Sequence, residues 1–194
     1  VIARYLSAAA NEVEDVEKTY DLQPTNIVVE GVVTVPGLSG CTVWYKDIVR
    51  GGDWTTVNPT FTDAGDWEVQ WEIRWGEAPY SVVASGDNFV TILPKDLHDD
   101  DIEVTLDRYY FEDDGSEHEP AVTVVWKGMG EDGADLVLAE EVDYTVDYTG
   151  NDRFATAHAL VSGVYNYTTY DDGEDDDNPI DVKFFVMAKV DIPA

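Results

Sequence analysis

Clusters of acidic residues are the first feature of the sequence that could do chemistry. They stand at 98–103 (HDDDIE), 112–119 (EDDGSEHE), 131–135 (EDGAD) and 171–181 (DDGEDDDNPID). Calcium is bound by about six to eight oxygens, often from loop carboxylates, but no segment has the spaced Asp pattern of an EF-hand loop. Calcium is the one cofactor that these clusters suggest, the alternative being solvated loops. The predicted ligands are Asp99, Asp101, Asp175 and Asp177.

Tryptophans form the second candidate, in the stretch DWEVQWEIRWGE at 66–77. In an extended chain, Trp67, Trp71 and Trp75 share one side with Val69 and Ile73, and the opposite side is polar. A half-buried strand turns its apolar side to the core, whereas a sugar-binding platform would place aromatic rings on the polar side. The stripe is therefore predicted to be core. Trp75 ends the stripe, and a weak ligand-binding site is predicted at Trp54, Trp75 and Tyr80.

Signals for catalysis are missing. His98, His118 and His158 belong to no H-E-x-x-H or zinc-type spacing, and the sequence has no G-x-S-x-G elbow or glycine-rich phosphate loop. Cys41 has no neighbours that would lower its pKa. With so many carboxylates, a glycosidase pair stays open, because the separation of its two acids is a property of the fold. The prediction is a protein that is not an enzyme, without catalytic residues.

The charge of the chain limits its partners. The 194 residues include 41 acidic and 11 basic residues, a formal net charge of −30. Such a surface argues against binding to nucleic acid or anionic lipid. No apolar run approaches the roughly 20 residues of a membrane span, so no membrane insertion is expected, and the single cysteine excludes an internal disulfide. We expect the sequence to be a segment of a longer protein.

Short β-branched and aromatic runs, separated by Gly, Pro, Asn and Asp, follow one another at about ten-residue spacing. This pattern predicts an all-β chain of sandwich or barrel type. The predicted strands include CTVWYKDIV, WEVQWEIRW, NFVTIL, IEVTLD, AVTVVWK, DYTVDYT, ATAHALVS and VKFFVMAKV, with NIVVEGVVTV and VYNYTTY beside them. Only 6–20 has helix-forming composition, and it is predicted to be a linker or a short helix.

The two halves of the chain repeat each other with a period of roughly 90 residues. TVWYKD at 42–47 aligns with YTVDYTG at 144–150, DAGDWEVQWEI with NDRFATAHALV, and NFVTIL at 88–93 with VKFFVM at 182–187. LPKDLHDDD, between the halves, combines a proline with charged residues, a composition that is common in linkers. The predicted organisation is a linker or the end of a preceding module at 1–13, one module at 14–94 and a second at 95–191.

The second half carries a spaced motif, made up of Tyr110, Gly115, Pro120, Val122, Val124, Asp143, Tyr144, Val146, Tyr148, Asn151, Gly163 and Tyr165. Through this motif the chain resembles the Ig-like (MBG-type) repeat modules of large bacterial cell-surface and adhesin proteins. RFATAHA replaces the Gly and Thr usual in that family, and 171–181 has the look of an insertion. The resemblance implies two tandem Ig-like antiparallel β-sandwich domains, located outside the cell, at the cell surface or secreted.

From the resemblance we expect a non-catalytic stalk, spacer or adhesin segment. Its partners would be neighbouring modules of the same chain, with a host protein or glycan as a further partner. The alternative is a carbohydrate- or protein-binding module with an exposed aromatic site. A cluster of exposed aromatic residues on one sheet face or at loop tips would distinguish the alternative from the spacer.

Overall fold

The computed structural model describes residues 13–27, 40–170 and 178–189, and the chain divides into two compact units, Val1–Leu93 and Pro94–Ala194. Thirteen strands and a short 3-10 turn at Glu131–Gly133 make up the regular structure of the described residues. The fold is all-β, as the spacing of the apolar runs predicts.

The first unit contains a four-stranded sheet of β1 (Val16–Thr19), β2 (Cys41–Asp47), β3 (Gly65–Trp75) and β4 (Ser81–Leu93), in the order β1-β4-β3-β2. The pairs β2–β3 and β3–β4 are antiparallel, whereas β1 runs parallel to β4. The described part of 6–20 is therefore not a helix: pairing with β4 outweighs its helix-forming composition. The predicted strand NIVVEGVVTV lies largely outside the described residues.

The apolar side of β3 faces the core of the first unit. Val69, Trp71 and Ile73 are buried there, which confirms the core prediction for the middle of the stripe. Trp71 donates its indole N–H to Asn88 Oδ1 at 2.8 Å. Its ring covers Gly86, where an added Cβ would lie 2.7 Å from the ring. Packing of the large indole thus requires glycine at position 86.

The described residues of the second unit form nine strands in three sheets. The strands are β5 (Lys95–Asp96), β6 (Ile102–Leu106), β7 (Tyr110–Glu112), β8 (Val122–Trp126), β9 (Leu136–Val137), β10 (Tyr144–Thr149), β11 (Ala155–Gly163), β12 (Tyr167–Thr168) and β13 (Ile180–Met187). The sheets have the orders β10-β11-β13-β7, β6-β8-β9 and β12-β5. The short strands β5, β7 and β9 have no counterpart among the predicted strands, because two or three residues carry no alternation.

The four-stranded sheets of the two units share one topology. The order β1-β4-β3-β2 of the first unit corresponds to β7-β13-β11-β10 of the second, and in both the first-named pair is parallel and the other two are antiparallel. The sequence repeat aligns the same strands, β2 with β10, β3 with β11 and β4 with β13. The repeat in the sequence is therefore a repeat in the order and direction of the strands.

Two tyrosines connect the sheets of the second unit into a sandwich-like arrangement. From β10, Tyr144 Oη donates to the carbonyl oxygen of Val122 at 3.1 Å, and Tyr148 Oη donates to that of Pro120 at 2.6 Å. Val122 belongs to β8 of the neighbouring sheet. Because the two tyrosines are four residues apart, an even number, they lie on the same side of β10. Two pairs of motif residues, Tyr144 with Tyr148 and Pro120 with Val122, are thus in contact in the folded unit.

Close packing explains the glycine at a further motif position. A Cβ on Gly163 would lie 2.6 Å from the backbone nitrogen of Thr168, so only glycine allows the chain to return at β12. The motif alignment assigns the following tyrosine position to Tyr165, but Tyr165 is 81% exposed. Of these two tyrosines, Tyr167 packs inside the unit, with only 4% of its surface exposed.

Candidate functional site

The outer face of the first sheet carries the candidate site. Since cross-strand partners share a face, the pairs Trp44–Glu72, Glu72–Ser85 and Gln70–Asp87 lie on the side opposite the buried residues of β3. Four of these five side chains are polar, and the fifth is a tryptophan. An aromatic ring on the polar face is the feature that distinguishes a binding module from a plain spacer.

Arg74 organises the aromatic rings of this face. Its Cζ lies 4.5 Å from the ring centre of Trp44, 4.9 Å from that of Trp54 and 5.9 Å from that of Tyr80. Its Nε donates to Glu72 Oε2 at 2.7 Å, and its side chain is only 14% exposed. Cation–π contacts and an ion pair hold the guanidinium and the rings in fixed places. We call Arg74, Trp44, Trp54 and Tyr80 the Arg74 cluster.

Two connections bring distant residues to the cluster. Thr55 exchanges backbone hydrogen bonds with Tyr45 of β2 at 2.7 and 2.9 Å, which places Trp54 beside the outer edge of the sheet. Tyr80 stands directly before β4 in the turn that follows β3, and its ring centre is 5.7 Å from that of Trp44. The segment that pairs with the edge strand β2 and the turn between β3 and β4 therefore build the cluster together.

The structure separates the three predicted ligand-binding aromatics. Trp54 and Tyr80 meet at Arg74, whereas Trp75 pairs with Cys41 at the end of β3 and shares a side with Trp71, away from the cluster. Trp75 is 40% exposed and Tyr80 is 44% exposed. The prediction missed Trp44. The alternation of CTVWYKD contains the signal, because it puts Trp44 on the side of Thr42 and Lys46.

An open groove of about 280 Å³ adjoins the cluster on the same face. The groove is lined by seven residues, of which Trp71 turns its ring to the inner face and Gly86 has no side chain: Trp54, Gln70, Trp71, Glu72, Ser85, Gly86 and Asp87. Asp87 is exposed, and its carboxylate takes part in no hydrogen bond or ion pair among the described residues. One indole, one amide, one hydroxyl and two carboxylates thus surround a space of small-molecule size.

The predicted calcium ligands that the structure describes bind a lysine instead. Lys95 is nearly buried, and its Nζ lies 2.6 Å from Asp99 Oδ2 and 2.7 Å from Asp101 Oδ1. Asp101 also accepts the indole N–H of Trp126 at 2.8 Å. The ammonium group occupies the place between the two carboxylates where a shared cation would sit. Asp175 and Asp177 lie outside the described residues, so calcium binding there stays a prediction.

The ionisation of this lysine cluster follows from its geometry. Burial by itself would lower the pKa of Lys95, but hydrogen bonds to Asp101 and Asp99 raise that pKa above its ordinary value. Burial would likewise raise the pKa of Asp101, yet the hydrogen bonds from Lys95 and Trp126 lower it below 3.8. Both groups are therefore charged at neutral pH. Among the described residues, no group of three or more His, Cys, Asp or Glu side chains could hold a metal ion.

The histidines lie apart from one another, each beside its own aspartate. The distances are 3.0 Å for His98 and Asp96, 3.5 Å for His118 and Asp114, and 2.8 Å for His158 and Asp181. Cys41 is a free thiol. Within the described ranges, no helix has the length and apolar character that crossing a membrane requires.

Comparison of the chain with family models, curated proteins and solved structures gives no match.

Proposed function

We propose that the chain is a pair of Ig-like modules that act as a non-catalytic stalk or spacer segment of a bacterial surface protein. The observation that carries this proposal is the direction of the strands nearest the chain ends of each unit. In the first unit β1, the first described strand, lies beside β4, the last, and the two are parallel, with Val16 opposite Val90 and Thr19 opposite Leu93.

Parallel terminal strands resist tension. A pull along the chain draws the start of β1 in one direction and the end of β4 in the other, so the strands slide past each other. All hydrogen bonds between them are then loaded together, whereas the bonds of a hairpin opened at its free end break one after another. The bond from Tyr20 N to Leu93 O, at 2.8 Å, extends this pairing.

In the second unit each terminal strand also has a parallel neighbour, although the two terminal strands are not paired with each other. The first strand, β5, is parallel to β12, and the last strand, β13, is parallel to β7 with Phe185 opposite Tyr110. Tyrosine hydrogen bonds from Tyr144 and Tyr148 also tie the two sheets together. These residues of the motif thus stabilise the packing of the unit. The net charge of −30 keeps such modules from associating with one another.

Single-molecule force spectroscopy on the intact chain tests the proposal. The N–H groups of alternate strand residues point to the same side, so Lys18 N–H faces β4 as Tyr20 N–H does, and Thr19 N–H faces away. Lys18→Pro removes a shear-loaded hydrogen bond, and we expect it to lower the unfolding force of the first unit. The bulk stability loss should be about 1–3 kcal/mol.

Two matched variants control for other effects of that change. Lys18→Ala removes the same ion pair with Asp21 but keeps the backbone N–H, and Thr19→Pro introduces proline where no ladder bond is lost. In both variants the first unit should unfold at about the same force as in the parent chain. Equal forces for Lys18→Pro and Lys18→Ala, or extension of the parent chain without a distinct unfolding event, would contradict the spacer proposal.

A further inference from the structure

The groove beside the Arg74 cluster has the composition of a ligand site. The groove remains open because Ser85, its neighbour on β4, has a short side chain. Trp54 forms part of the lining and is fixed by the Thr55–Tyr45 backbone pairing.

The polar groups of the groove match a ligand with several hydroxyl groups. Glu72 and Asp87 accept hydrogen bonds, while the Gln70 amide and the Ser85 hydroxyl both donate and accept. The indole of Trp54 offers an apolar surface to a ring that carries C–H groups. A sugar has this combination, because its hydroxyls bond carboxylates and amides while the faces of its ring are apolar.

Charge selects among sugars. Arg74 neutralises Glu72 at 2.7 Å, which leaves Asp87 as the remaining charge of the lining. An anionic sugar would be repelled by Asp87 and by the chain's net charge of −30. A metal ion would find one unpaired carboxylate, too few to bind it specifically, because metal sites combine several ligands. The groove therefore favours an uncharged ligand.

We propose that the outer face of the first unit binds a neutral saccharide. Trp54 stacks on the sugar ring, and Asp87 and Gln70 accept hydrogen bonds from its hydroxyl groups. The volume of about 280 Å³ is at the lower end of ligand pockets and suits one or two sugar units. An open site with few contacts binds weakly, with a dissociation constant on the order of 1 mM. This activity is independent of the spacer function and would add adhesion to it.

Ligand-observed NMR with the intact chain tests the site. The neutral probes are glucose, galactose, mannose and N-acetylglucosamine, with their disaccharides. Glucuronic acid serves as the acidic probe and glucosamine as the cationic probe. We expect at least one neutral sugar to bind, and Trp54→Ala and Asp87→Asn each to weaken its binding about tenfold or more, since each removes a main contact. The acidic and cationic probes should bind more weakly.

Control variants separate loss of the site from loss of the fold. Phe154→Ala removes an exposed aromatic of the second unit, and Glu77→Gln removes an exposed carboxylate outside the groove. Both should bind like the parent chain. Asp87→Asn leaves the fold intact because Asp87 is exposed, and an unchanged melting temperature verifies this. The proposal is overturned by absent binding of every neutral sugar, by unchanged affinity in Asp87→Asn, or by tighter binding of the acidic or cationic probe.

Discussion

Alkaline pH should destabilise the second unit through Tyr148. Its hydroxyl donates to the Pro120 carbonyl oxygen at 2.6 Å, and only the protonated form can donate this bond. Burial, assisted by the negative charges of Glu140, Glu119 and Asp107, raises the pKa of Tyr148 from 10.0 to about 12. A raised folded-state pKa means that this stability is fully present below pH 10 and is lost as the pH rises toward 12.

The size of the effect follows from the shift. A difference of about two pH units, at about 1.36 kcal/mol each, sets an upper limit of about 2.7 kcal/mol. Solvent reaches part of the Tyr148 ring and screens the neighbouring charges, so we expect about 1–1.5 kcal/mol. Tyr148→Phe loses the hydrogen bond at every pH, at a cost of about 1 kcal/mol at neutral pH, but also loses the alkaline dependence.

The assay is urea unfolding of the parent chain and of Tyr148→Phe from pH 7 to 12. Raised pKa values of Tyr144 and Lys95 also remove stability at alkaline pH, so the quantity to compare is the difference between parent and variant. That difference should shrink as the pH rises through 10–12. A constant difference over the whole range would refute the reasoning, as would a decrease that is complete below pH 10.

Three further outcomes follow from packing and charge. Gly163→Ala should destabilise the second unit by about 1–3 kcal/mol, because the new Cβ would meet the backbone of Thr168 at 2.6 Å. Gly52→Ala, with its nearest contact at 3.6 Å, should change stability by less than about 0.5 kcal/mol in the same chemical unfolding assay. In acid titrations, Asp101→Asn should lose less stability below pH 4 than the parent chain. The lowered pKa of Asp101 means that its carboxylate stabilises the fold above pH 3.8 and no longer does so in stronger acid. Any shift in melting temperature between calcium and chelator should be the same in Asp101→Asn as in the parent, because Lys95 already holds this carboxylate; a smaller shift in the variant would restore Asp101 as a calcium ligand.

Local patterns predicted much of the fold and less of the site. The alternation in WEVQWEIRW identifies Trp71 as core, because side-chain direction in a strand depends only on position in the chain. The same rule could not show that residues 16–19 form a strand, since their helix-forming composition is outweighed by pairing with β4 more than 70 positions away. Trp54 and Tyr80 were identified as a weak site from exposure signals, but Trp44 and Arg74, which connect them, were not.

By itself, the sequence determined the all-β class, the internal repeat and the net negative charge, because periodicity, internal similarity and charge are properties of the chain. Only the tertiary structure decided which residues meet. Asp99 and Asp101 suggested a calcium site until the fold placed Lys95 between them. The Arg74 cluster and its groove depend on register and on two turns. Sequence patterns report which face of a strand is apolar, whereas the neighbour across that face is set by long-range pairing.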